Sequence, residues 1–148
     1  KGEFSSVSGG LANQATHARS SVSGGARNMA QNVDASVSGG FLNRAVGRYG
    51  SVSGGKSNFA NGETSTVSGG IGNKAENKFS SISGGMKNQA LGVSTSILGG
   101  KENVADKSFS MVSRKGNKSK KVSKFFVDEN NSTLTAVINT RAASGDSN

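Results

Sequence analysis

Hydroxyl groups recur through this chain in pairs, at Ser6/Ser8, Ser21/Ser23, Ser36/Ser38, Ser51/Ser53, Thr66/Ser68 and Ser81/Ser83. Two chemistries are open to serines held in so regular an array. Nucleophilic use needs a base and an orienting group beside the hydroxyl. The single histidine, His17, stands at a variable outer position and the acidic residues are scattered, so no such constellation can be assembled and no enzymatic activity is expected. The other chemistry is hydrogen bonding by rank, to a neighbouring chain or to ordered water. An asparagine recurs as well, at Asn13, Asn28, Asn43, Asn58, Asn73, Asn88 and Asn103. Its amide would either stack as an inward ladder, the favoured reading, or occupy a left-handed corner, where asparagine is enriched. Cysteine is absent and no aspartate recurs in each repeat, as the glycine-rich calcium solenoids require, so no metal site is expected. The glycine pairs lack the GxxxxGK[ST] context of a phosphate loop, and no cofactor is expected.

The elements that must hold these groups follow from the spacing. A branched aliphatic residue sits inside each motif, at Val7, Val22, Val37, Val52, Val67, Ile82, Ile97 and Val112, always 15 residues apart. A Gly-Gly pair follows each of the first seven, from Gly9-Gly10 to Gly99-Gly100, and an alanine lies two residues after each asparagine. The unit reads S-S-V-S-G-G-x-x-N-x-A-x-x-x-x. Such a period is too short for paired helices or a propeller blade. It suits one turn of an all-β, parallel β-solenoid (β-roll), whose coils stack at about 4.8 Å, so that Val7 to Val127 would span roughly 40 Å. Alternation in Ser-Val-Ser puts the aliphatic side chain inside and the flanking serines outside. Gly-Gly supplies the sharp corner, because glycine takes positive φ without a Cβ penalty. The alanine fits a narrow interior.

One valine and one alanine per coil make a thin core, so backbone ladders must supply much of the cohesion and association with further chains is expected. Phe4, Tyr49, Phe79 and Phe109 lie three residues before the aliphatic position, in phase with the outward serines, and form a candidate interface. Arg19, Asp34, Thr64 and Ser94 hold the same position in the other coils, so the stripe is broken. The Ser-Val-Ser strand, rather than the Asn-Ala strand, is expected to lie nearer a neighbouring copy.

Over residues 4–113 the repeat resembles the YadA-like head domains of trimeric autotransporter adhesins, whose units are built round a Ser-Val-Ala-Ile-Gly motif followed by a spaced alanine. Here the matching segment is Ser-Val-Ser-Gly-Gly with asparagine and alanine after it. The unit of 15 and the glycine in place of the second aliphatic residue depart from that pattern. The resemblance implies a left-handed parallel β-roll, a homotrimer, display outside the cell, and work in adhesion or as a stalk.

The pattern breaks at the eighth coil, where Arg114-Lys115 replaces Gly-Gly. Residues 1–113 are therefore read as the solenoid and 114–148 as a basic terminal coil, cap or junction with a flexible tail. Phe126-Val127 returns in phase and would allow a further coil, and residues 132–140 alternate well enough for a strand. Residues 114–124 carry six basic residues and no acid. Such a cluster can hold an anionic glycan or surface, and it equally protects an open strand edge. No stacking platform accompanies it, so nucleic acid is not expected. Asn117, Asn130 and Asn131 head sequons, which matter if the source is a eukaryotic secretory pathway. No run of 18 apolar residues exists to span a membrane, and residues 1–6 do not look like a signal peptide, which reads as a mature or internal segment. The expected function is an extracellular or cell-surface structural and adhesive repeat protein, part of a fibre or adhesin head. The alternative is an ice-binding solenoid using the outward Ser/Thr ranks.

Overall fold

The computed structural model describes residues 2–113, together with the backbone of 125–126 and 135–136. Over residues 2–113 the chain is a parallel β-solenoid with a 15-residue coil. Eight two-residue strands, from β1 (Ser6–Val7) to β15 (Met111–Val112), stack in one parallel sheet, and seven, from β2 (Gln14–Ala15) to β14 (Val104–Ala105), stack in another. Single parallel bridges running Leu11–Ala26–Phe41–Lys56–Ile71–Met86–Lys101 form a third line. Register is without slip: Ser21 pairs with Ser36, Val22 with Val37, and Met29 with Arg44.

Besides the asparagines, the interior is the two expected apolar columns and one more. Val22 to Val112 and Ala15 to Ala105 are buried at every coil. Val7 keeps register with Val22 but is 41% exposed, since it lies in the first described coil. The additional inward column lies two residues before the aliphatic one, at Ser20, Ala35, Gly50, Ser65, Ser80, Thr95 and Ser110. Strand alternation requires this, because positions two apart share a face. Four of its hydroxyls donate to a carbonyl three residues back, as Ser20 Oγ does to His17 O at 2.6 Å, and so close the corner. Ser65 Oγ makes no such bond.

Three left-handed positions bend each coil. One is the second glycine of the pair, with φ of 79° to 93°. The next lies two residues on, at Ala12, Arg27, Leu42, Ser57, Gly72, Lys87 and Glu102. The last is the column of Phe4, Arg19, Asp34, Tyr49, Thr64, Phe79, Ser94 and Phe109, at φ of 53° to 58°. These backbone turns reverse the hydrogen bonding locally. Strand amides donate to the following coil, as Ser21 N does to Ala35 O. The non-glycine left-handed residues donate to the preceding one, as Arg27 N does to Leu11 O and Asp34 N to Ala18 O. Both sides of every coil are thereby tied.

Phe126, where the returning phase would allow a further coil, is described only as part of a short antiparallel pair. Strand β16 (Phe125–Phe126) pairs antiparallel with β17 (Thr135–Ala136) in a sheet of its own. Thr135–Ala136 lies within the strand expected at 132–140. Val127, the sequons at Asn117, Asn130 and Asn131, the basic cluster and the tail lie outside the described residues.

Candidate functional site

The asparagine column is inward, and its amides bind mainly backbone, with one amide-to-amide bond at the end of the column from Asn103 Nδ2 to Asn88 Oδ1 at 3.1 Å. Asn43 Nδ2 donates to Gly39 O at 2.8 Å in its own coil and to Gly55 O at 2.9 Å in the next. Asn43 Oδ1 accepts from Asn58 N at 3.0 Å, and Asn43 N donates to Asn28 Oδ1 at 2.9 Å. The same set recurs at Asn28, Asn58, Asn73 and Asn88. From Asn28 to Asn103 these side chains are buried. With their donors and an acceptor oxygen committed to the backbone, they hold the stack together and present nothing to a ligand.

The two glycines of each pair do different things. A Cβ on Gly40 would stand 2.2 Å from Gly55 O and 2.5 Å from Asn43 Nδ2, at a φ of 88°. That glycine is demanded by the coil. A Cβ on Gly39 would meet nothing within 4 Å, and the same holds for Gly9, Gly24, Gly54, Gly69 and Gly84. None of these six has positive φ. Nothing within the described residues asks for glycine there, yet glycine stands there in each of the first seven coils. Beside it runs a rank of exposed serines, Ser8, Ser23, Ser38, Ser53, Ser68 and Ser83, continued by Leu98 at the seventh coil. The serines on the other side of the aliphatic residue are half-buried from Ser21 to Ser96, and Ser36 Oγ donates to Ser51 Oγ at 3.2 Å. The hydroxyl pairs are thus unequal, with one rank facing out.

Outward positions of the Asn-Ala sheet look different. Phe59 lies between the Arg44 guanidinium and the Lys74 ammonium, 5.7 and 5.9 Å from its ring centre. Phe41, on the bridge line, is flanked by Arg27 and Lys56 at 6.0 and 5.9 Å. Long cationic side chains therefore flank Phe59 on that sheet and Phe41 on the bridge line, while a Cβ at the first glycine of each pair from Gly9 to Gly84 would stand in open space.

Phe4, Tyr49, Phe79 and Phe109 are exposed, but on the left-handed corner rather than on the serine strand. The φ change takes them out of the strand's alternation, so their count from the aliphatic residue does not place them beside the serines. Arg19 and Asp34 on this ridge form a two-bond ion pair, at 2.7 and 2.8 Å. The Arg19 hydrogen bond holds the Asp34 carboxyl below its ordinary range. Lys78 Nζ, 2.9 Å from Glu63, lowers that carboxyl in the same way. His17 is exposed, its Nδ1 3.0 Å from Thr16 Oγ1.

Sequence reasoning placed the aliphatic and asparagine columns and missed the buried hydroxyl column and the corner ridges. The first S of each S-S-V-S was the available signal for the hydroxyls. The ridges gave none, since Thr, Phe, Tyr and Arg are poor markers of positive φ. Compared with known protein families and with characterised proteins, the chain matches none.

Proposed function

We propose that the chain is a non-catalytic structural and adhesive rod, displayed outside the cell, that associates with copies of itself through the Ser-Gly strip. The observation that carries the reading is the outward glycine column from Gly9 to Gly84, which no contact among the described residues explains. A Cβ-free strip lets another backbone approach closely, and a row of small hydroxyls adds hydrogen bonds without bulk. On the Asn-Ala side Arg44 and Lys74 stand over Phe59, so its middle coils carry bulk and charge that the Ser-Gly strip does not. The resemblance to trimeric autotransporter heads favours three copies, a left-handed coil and a cell-surface setting.

An exposed serine rank at the coil spacing also suits ordered water, which keeps ice binding as the second reading. Sedimentation and a thermal hysteresis assay on one preparation separate the two. Assembly predicts a mass several times the 14.9 kDa of one chain and no hysteresis. A 14.9 kDa particle that depresses the freezing point would replace the first reading with the second.

A further inference from the structure

The ridge of left-handed corners alternates in size over five successive coils: Tyr49, Thr64, Phe79, Ser94, Phe109. The three aromatic residues are 45%, 57% and 62% exposed. The ridge amides bond to the coil before, as Thr64 N to Arg48 O at 2.8 Å, Phe79 N to Glu63 O at 3.0 Å and Phe109 N to Val93 O at 2.9 Å. This ladder fixes the spacing at about 4.8 Å per coil, so aromatic residues recur about every 9.6 Å along a rigid line. Aromatic side chains at positive φ gain nothing for the fold when exposed, and left-handed strain tends to persist where function requires the residue.

From this geometry we infer that the ridge binds an extended β-1,4-linked polysaccharide of the glucan or chitin type. In such a chain each pyranose advances by close to one coil spacing, and each is turned over relative to the last. Every second sugar therefore offers the same apolar C–H face, in step with Tyr49, Phe79 and Phe109. The intervening sugars meet Thr64 and Ser94, which leave room and offer a hydroxyl. Arg48, whose guanidinium lies 4.9 Å from the Tyr49 ring centre, can reach sugar hydroxyls but covers part of that ring, so Phe79 and Phe109 are the stronger platforms. Phe4 stands three coils before Tyr49, out of the two-coil step, and takes no part. The inference names the ligand class of the adhesive reading and rests on it.

Isothermal titration of the full chain with cellohexaose, chitohexaose and maltohexaose tests it. One of the β-linked hexaoses binds, while maltohexaose, whose α-linkages coil the chain, does not. Phe79→Ala weakens binding by about tenfold, Phe79→Tyr restores it, and Phe4→Ala leaves it unchanged. Circular dichroism of each variant shows the coil intact. Absence of binding by both β-linked sugars, equal binding by Phe79→Ala, or equal binding of maltohexaose overturns the inference. So does a drop in assembly mass on Phe79→Ala without sugar binding, which makes the ridge a contact between copies. A wild-type chain that is monomeric and still binds the hexaose supports the ridge while rejecting assembly, so the two readings fail separately.

Discussion

Two corners of the coil solve the same problem with different chemistry. Both bend the backbone through left-handed residues whose amides point to the coil behind. At the Gly-Asn corner a side chain completes the circuit, with Asn43 bonding Gly39 O, Gly55 O and Asn58 N. At the ridge corner the backbone closes the ladder by itself, helped in some coils by a serine or threonine hydroxyl. At the first corner the glycine and the asparagine are the same from Gly10 and Asn13 to Gly100 and Asn103, though the left-handed residue between them varies, while the second corner holds Arg, Asp, Tyr, Thr, Phe and Ser in turn. Where a side chain carries buried hydrogen bonds its identity is fixed. Where only backbone is needed the side chain is free to meet something outside.

The largest effect that would break this contrast is at the asparagine. Asn58→Ala leaves two backbone groups without their partner, Gly54 O and Asn73 N, while Gly70 O keeps the Lys56 amide. Each orphan costs about 1–3 kcal/mol, so the loss should be about 4 kcal/mol in denaturant unfolding. A loss no larger than that of an ordinary surface substitution would mean that water replaces the amide. The glycine pair sharpens the comparison within one corner. Gly40→Ala drives a Cβ into backbone of the next coil and should cost about 3 kcal/mol. Gly39→Ala, on a dilute chain, should stay within about 0.5 kcal/mol of wild type. Equal effects at the two positions would erase the distinction on which the outward strip depends.

How much of this was legible in the sequence depended on period and chemistry. Fifteen-residue phase gave the coil, and the aliphatic and alanine positions gave two core columns. The asparagine was placed inside, but not its pairing with backbone, because that depends on amide directions set by the left-handed residues beside it. Ser20 and its equivalents were given no place, since attention stayed on the serines flanking valine although the same alternation puts Ser20, two residues from Val22, inside. Phe79 was assigned to the serine face because a strand was counted through a corner, and a single positive φ moves everything before it to another face.

Smaller effects belong to the variable corner. Thr64 is β-branched at φ 54°, an unfavourable pairing. Thr64→Asn should therefore raise stability by about 0.5–1 kcal/mol in thermal unfolding, and a decrease would show that the threonine has a packing role there. The weakest effect is electrostatic. Asp34 and Glu63 have lowered folded values, so their contribution is present above the ordinary carboxylate range and fades as pH falls through the depressed values. Both sit at the surface, so Asp34→Asn should flatten the acid limb of the melting-temperature profile only slightly. A large flattening would place this corner in the core of the stability.

The claim that the bare strip is where copies meet is tested most directly by filling it. The triple variant Gly39→Leu, Gly54→Leu, Gly69→Leu adds side chains where no described residue lies within 4 Å of the new Cβ, so the coil itself should tolerate them. Light scattering should then report 14.9 kDa, with the β-sheet circular dichroism of the wild type retained, against a multiple of that mass for the unaltered chain. An unchanged assembly mass in the leucine variant would contradict the account.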